Sequence, residues 1–347
     1  MANLWPRRSL LGAGLALPLL PRGAHAQADV VAHPWIVPDL LEPARKEGGL
    51  TVYSSTNEQE GLPLWHVFED ATGLRVTYVR AADAALIGRI GIEARTGQQS
   101  WDLLNTPTVN ETPRQVMAQM DLPEAAQLIA PARDPDRRWY GCYANYNAPA
   151  YNTGLVKSAD LPKTYEGFLD HPEWAGRVAI EATDKEWLFA ICHARGEQAG
   201  RKLVRDIVAK LRPVVVDGHL ALARAVAAGE YPVALNNYAM LTINMRLAGG
   251  ATDFWPLDPL ALFFGAVAVN VRAPHPNAAR LAANFMLSRE AQTLATRTGR
   301  LPTRPDVLSN PPDAIPRLTS VTSVPVDLTP EVSRTWQTSL KALLQSA

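Results

Sequence analysis

The chain has 347 residues, and its 34 basic and 34 acidic side chains cancel to a formal charge of zero. That length is enough for two lobes with separate cores. With no basic block or stripe a nucleic-acid partner is not expected, and with no phosphate loop or dinucleotide-binding glycine turn nucleotide chemistry has no evident seat.

In chain order, residues 1–26 read as a cleaved export signal. Arg7 and Arg8 precede an apolar run, Leu10–Leu20, and Ala24-His25-Ala26 has the small-x-small form of a cleavage site. The twin arginines followed by Ser9-Leu10-Leu11 suit a Tat-type signal, with Sec export as the alternative. The apolar run is short for a bilayer span. Two cysteines remain, Cys142 and Cys192. An oxidising compartment permits a disulfide between them, and free buried thiols are the equal alternative.

After a proline-spaced lead-in over 27–47, the first lobe alternates strand and helix over 48–140. Leu50–Tyr53 reads as a buried strand that ends in Ser54, Ser55, Thr56 and Asn57. The helix after it has an apolar face of Leu62, Leu64, Trp65 and Phe68 and stops at Gly73. A further strand, 74–79, and an amphipathic helix, 83–96, lead to Trp101–Leu104, which ends in Asn105 and Thr106. Hydroxyls and amides at such strand ends either cap the next helix or contact a ligand through side chains and free backbone N–H groups. Capping is the plainer reading of each loop alone; their joint placement favours the ligand.

Trp139–Tyr151 is aromatic and extended, and reads as a crossing to a second lobe over 141–262. Tyr143, Tyr146 and Tyr151 are its cleft candidates, although alternation would bury some of them. In this lobe Arg177–Ile180 is a strand that ends in Glu181-Ala182-Thr183-Asp184, with Asp184 as a helix cap and Thr183 open to a ligand. Asp217 is expected to cap the helix 219–228. Pro232–Leu235 is a short strand that runs into Asn236, Asn237 and Tyr238. Ligands gather at the carboxyl ends of strands in open α/β sheets, so Tyr238 and Asn237 are placed in the cleft and Asn236 as a brace of the turn. Leu260–Val271 reads as the return crossing. The first lobe resumes over 263–310, and a proline-rich segment and a last helix, docking through Val332, Trp336, Leu340 and Leu343, fill 311–347. Alternating strands and helices imply mostly parallel sheets covered on both faces, an α/β fold of two lobes on a two-segment hinge. The histidines His33, His66, His171, His193, His219 and His275 have no metal-ligand spacing and read as structural or exposed.

Several of these segments occur together in one known family. GGLTVYSSTNEQE, WDLLNTP, PAYNTGLV, AAGEYPVALNNYA, APHPNAARLAANFMLSREAQ and GRLPTRPDV stand in order. The chain resembles the periplasmic substrate-binding proteins of ABC importers, in the ferric-iron-type branch with the type 2 periplasmic binding fold. The resemblance implies a monomeric binding protein of the periplasm that hands a small, anionic or polar solute to an inner-membrane permease. In ferric members paired tyrosines follow the double asparagine and a further tyrosine precedes Asn-Thr. Here Tyr238 matches the first of the pair and Tyr151 the other, while Ala239 and Asn57 stand where a second tyrosine and a first-loop histidine would be.

Two phenols give Fe³⁺ a short donor set, so no cofactor is expected. Ferric binding by Tyr151 and Tyr238 with an exogenous anion is one alternative, and an exported enzyme using the same cleft is another. The expected ligand contacts are Ser54, Ser55, Asn57, Asn105, Thr106, Tyr151, Thr183, Asn237 and Tyr238.

Overall fold

The computed structural model describes residues 32–98 and 100–345. The expected export signal lies outside them. Among the described residues no helix is long and apolar enough to cross a membrane.

Lobe I begins with α1 (Pro38–Glu47), β1 (Gly49–Ser54), α2 (Glu58–Thr72), β2 (Arg75–Arg80), α3 (Asp83–Thr96) and β3 (Leu103–Thr106). β4 (Tyr140–Asn147) still belongs to this lobe, and β5 (Ala150–Asn152) opens lobe II. There follow β6 (Ala179–Glu181), α4 (Lys185–Arg195), α5 (Glu197–Leu211), β7 (Val214–Val216), α6 (His219–Ala228), β8 (Val233–Ala234), α7 (Ala239–Leu247) and β9 (Thr252–Phe254). β10 (Leu260–Val269) returns to lobe I, followed by α8 (Pro276–Leu287), α9 (Arg289–Thr296), α10 (Ala314–Leu318), β11 (Ser323–Pro325) and α11 (Pro330–Gln345).

The first sheet has the order β11-β10-β3-β1-β2, with β4 also paired to β10. β1 runs parallel to β2 and β3, so each connection must cross over, and α2 and α3 are those crossovers. The helix α2 buries Leu64, Trp65 and Phe68, and stops at Gly73, whose φ of 74° is left-handed backbone that glycine adopts without a Cβ penalty. Phe68 meets Trp35 and Phe285 ring to ring, at 5.8 and 5.6 Å, in the lobe I core.

The second sheet has the order β7-β6-β8-β5-β9, with β6 parallel to β7 and β8 and β5 antiparallel to β8 and β9. Its core gathers Tyr165, Phe168, Trp187, Ile207 and Leu235. The chain changes sheets at Ala148-Pro149 and returns between Phe254 and Leu260, so all of β4 and β10 lie in lobe I. The boundaries read from the sequence, at 141 and 262, differ for a physical reason: an aromatic run reads as continuous extended chain and does not reveal which sheet takes up its hydrogen bonds.

The C-terminal segment touches both lobes. β11 pairs with β10, while Leu340 and Leu343 of α11 enter the lobe II core. Of the docking face expected for α11, Val332 is instead 40% exposed. Cys142 lies in the lobe I core and Cys192 in that of lobe II, and both are free thiols.

Candidate functional site

At the end of β1 the polar residues turn inward. Ser54 is fully buried, and its hydroxyl donates to Asn105 Oδ1 at 3.2 Å while accepting the Thr56 N–H. Thr56 donates to the same oxygen, and the Asn105 amide nitrogen donates to the Ala266 carbonyl and the Cys142 sulfur. Thr106 is tied to Asp83 and Thr108. Asn57 is the N-cap of α2: its side-chain oxygen accepts the Glu60 N–H at 3.0 Å and its amide donates to the Glu60 carboxylate. Ser55 is partly exposed; its backbone N–H donates to the Asn105 carbonyl. These junctions hold the loops to one another. They border a small chamber of about 30 Å³ in lobe I, lined by Thr56, Asn105, Tyr143 and Arg300 among others. There Arg300 pairs with Glu60 and lies 4.2 Å above the Tyr143 ring. A Cβ on Gly265 would fall 1.8 Å from that ring, so only glycine fits beneath it.

In lobe II the junctions after β6, β7 and β8 converge. The Glu181 carboxylate accepts the Thr183 N–H at 2.6 Å, the Thr183 hydroxyl at 2.9 Å and the Gly218 N–H at 3.2 Å. Asn236 clamps the end of β6 by accepting the Glu181 N–H and donating to the Glu181 carbonyl. Asp184 caps α4 through the Trp187 N–H and accepts the Asn147 amide. The expected Asp217 cap is absent: Gly218 holds the N-cap position of α6 and offers no side chain, which brings His219 to the first helical residue.

The His219 ring stacks on Tyr238 with centroids 3.6 Å apart, and Phe263 meets the other side of Tyr238 edge-on at 5.3 Å. Asn237 Oδ1 accepts the Tyr238 N–H at 2.8 Å and lies 3.2 Å from His219 Nδ1. Among the described residues, three buried atoms around this stack have no hydrogen-bond partner: Asn147 Oδ1, from the end of β4, His219 Nε2 and Asn237 Nδ2.

Burial is the largest influence on the charges. It pushes His219 down to about 3, with Lys185 adding to the effect. It raises Glu181 and, more strongly, Asp184. The Tyr238 phenol is pushed well up, first by burial and then by the carboxylates of Glu186, Asp184, Glu181 and Asp83. Asp83 belongs to lobe I, and Tyr238 is bridged to Asn147 at the end of β4 and packs edge-on against Phe263 of β10, so it sits at the seam between the lobes. The lobes touch beside it. Lys185 Nζ lies 2.9 Å from Glu186 and 3.5 Å from Glu111 of lobe I, and Ser333 of α11 donates to Glu111 at 2.8 Å. Beside this contact lies a chamber of about 20 Å³ lined by Thr108, Glu111, Glu186, Phe263 and Ser333 among others.

Of the residues expected at the site, Asn237, Tyr238 and Thr183 lie together in lobe II, and Ser54, Ser55, Asn57, Asn105 and Thr106 lie together in lobe I. Tyr151 is apart from both groups. Its ring meets Trp255 edge-on at 5.7 Å and lines a groove of about 570 Å³ with Lys163 and Arg317. The pairing of Tyr151 with Tyr238 around one ion is thus not what this arrangement offers: β5 places Tyr151 opposite Val233, while Tyr238 stands opposite Asn147. Sequence reasoning passed over Glu181, His219 and Asn147. The usable signal was Gly218-His219 at the start of a helix after a strand, the same junction form as the other two.

The description "Bacterial extracellular solute-binding protein" is carried by the family whose profile matches residues 112–319. A "Fe(3+)-binding periplasmic protein" of Serratia marcescens is 25% identical over 192 residues, 54% of this chain and 56% of that protein, so the match spans about half the relative's length. Among solved structures, AfuA of Actinobacillus pleuropneumoniae, with exogenous fructose-6-phosphate bound, superposes with a TM-score of 0.72 at 17% identity, covering 86% of this chain and 99% of that one. Iron-bound HitA of Pseudomonas aeruginosa gives a TM-score of 0.68 at 22% identity, covering 86% and 98%. These likenesses give the fold, that of two-lobed periplasmic binding proteins. Together with the profile match across both lobes, they place the chain in the bacterial extracellular solute-binding protein family.

Proposed function

We propose that this protein is the solute receptor of an ABC importer, capturing one small polar solute between its lobes in the periplasm and delivering it, as a monomer, to a membrane permease. The observation that carries the reading is the convergence of three lobe II βα junctions on one interlobe gap, with buried polar atoms of Asn147, His219 and Asn237 left without partners. Buried polar groups are normally paired, so unpaired ones grouped at a cleft favour a ligand. The two strand crossings supply a hinge, and closure about it gives a permease one shape to recognise. Contacts are assigned to Asn237, Tyr238 and Thr183 of lobe II and to Ser55 of lobe I; Ser54, Asn57, Asn105 and Thr106 shape the facing wall from behind.

An anionic solute, as hydroxyls at strand ends suggest, would meet Asp83, Glu111, Glu181 and Glu186 around the gap. A polar solute that is not a free anion fits that surround better. An exported enzyme would need an activated nucleophile. Burial instead raises Cys142 to about 12 and Cys192 to about 11, the reverse of an activated thiol.

The test is native mass spectrometry of protein purified from its host, with small-angle scattering before and after ligand addition. Ferric citrate and fructose 6-phosphate serve as the first added probes. A co-purifying small solute, or a probe that shrinks the particle, is expected. A chain that retains nothing and keeps one shape with every probe overturns the reading.

A further inference from the structure

The protonation of His219 can be read from its neighbours. Asn237 Oδ1 already accepts the Tyr238 backbone N–H, which fixes that atom as the oxygen. Nδ1 of His219, 3.2 Å from it, is then the nitrogen that carries hydrogen and donates. In the neutral ring this leaves Nε2 as a bare acceptor. It stands 3.5 Å from Glu181 Oε2, a second acceptor, and has no hydrogen-bond partner. The side chains are nine-tenths or more buried, with exposures of 10% for His219 and 1% for Glu181. Glu181 Oε2 already accepts the Thr183 N–H and hydroxyl, whereas the buried Nε2 beside it has no donor of its own, which is costly unless a ligand supplies one. Another free acceptor, Asn147 Oδ1, belongs to the same network through Asp184 and the Asn147–Tyr238 bridge.

Acidic groups predominate around this pair and its Tyr238 neighbour. Glu181, Asp184, Glu186 and Asp83 all bear on the Tyr238 hydroxyl. Lys185 is already held by Glu186 and Glu111. We propose that the solute held at lobe II carries a primary amine or ammonium group whose N–H atoms are taken by His219 Nε2 and the Glu181 carboxylate. The proposal rests on the solute-receptor reading and narrows it. A hydroxyl offers one donor and no charge. An ammonium offers three donors and a charge opposite to that of the carboxylate, which answers both the free Nε2 lone pair and the buried Glu181. The free Asn237 Nδ2 would then serve an acceptor elsewhere on the same solute.

The experiment is isothermal titration calorimetry at neutral pH on the full mature chain with matched probes: putrescine against 1,4-butanediol, glucosamine 6-phosphate against glucose 6-phosphate, and ferric citrate alone. The amine member of at least one pair is expected to bind about tenfold tighter or more. Glu181→Gln should erase that preference. So should His219→Phe, which keeps the stack on Tyr238, makes the site more apolar and guards against misfolding of the first variant. Equal binding within both pairs, preference for the amine-free member, or binding of ferric citrate alone overturns the amine inference and leaves the receptor reading standing. If no probe binds, native mass spectrometry decides: a co-purifying solute with an amine supports the inference, one without an amine overturns it, and no retained solute breaks the receptor reading itself.

Discussion

The strand ends of the two lobes carry the same kinds of residue and use them differently. In lobe I, the side chains of Ser54, Thr56, Asn57, Asn105 and Thr106 are bonded to neighbours in their own lobe, with Asn105 as the hub. In lobe II, among the described residues, His219 and Asn237 each keep one buried polar atom without a partner, and beside them so does Asn147 at the lobe I end of the crossing. Polar residues after a strand therefore signal that hydrogen bonds are needed there, and only the tally of partners separates a brace from a contact.

The largest expected effect tests the brace. Asn105→Ala would strip partners from the Ser54 and Thr56 hydroxyls and from the Ala266 carbonyl, all buried. Urea unfolding should show a loss of about 3 kcal/mol, while affinity for the co-purifying solute stays within about twofold. Weakened binding at intact stability would turn lobe I from scaffold into contact and erase the contrast. Tyr238→Phe probes the other side. The ring keeps its stack on His219 and its edge contact with Phe263, and only the hydroxyl is lost. Binding should weaken about tenfold, near 1.4 kcal/mol, with Tm unchanged within about 1 °C. A variant that binds as well as the parent would make Tyr238 a packing residue alone.

A pH dependence sharpens the comparison further. His219 has a folded value of about 3 against an ordinary 6.5. Between those values the unfolded chain holds the extra proton, so the stability from this group is present above pH 6.5 and is lost as pH falls toward 3. Glu181 runs the other way: burial raises it, and protonation as pH falls through that raised value restores stability. His219→Phe removes the first effect and leaves the second. From pH 7 to pH 5 the Tm of the parent should fall by about 3 °C more than that of the variant. Parallel curves would mean that the ring is not held neutral beside Lys185 and Glu181.

Much of the frame was legible because it rests on local chemistry. Gly73 after an apolar helical face, Asp184 before Trp187, and the strands flanking Asn105 and Asn237 follow from turn, cap and periodicity rules. The family resemblance supplied the two-lobed hinge. What the sequence could not carry was partnership over distance. Ser54 and Asn105 are 51 residues apart, and nothing in either loop announces that they bond to each other. Tyr151 looks as available as Tyr238 until sheet register sets it against Trp255. His219 reads as one more structural or exposed histidine until Gly218, Asn237 and Glu181 close around it.

The smallest effect bears on Asn57, where a first-loop ligand contact was expected and a helix cap is found. Asn57 accepts the Glu60 N–H at 3.0 Å, and its extended backbone, with φ of −65° and ψ of 156°, is that of an N-cap. Asn57→Ala should cost about 1 kcal/mol in urea unfolding, and Asn57→Ser should recover most of it because a serine hydroxyl caps as well. Neither change should move solute affinity. A ligand contact predicts another order, because serine cannot reproduce an amide that both donates and accepts: both variants would then bind more weakly, whatever their stability. Rescue by serine in stability without any change in binding is the outcome that keeps Asn57 on the bracing side of the cleft, and a matched loss of affinity in both variants would return it to the contacting side.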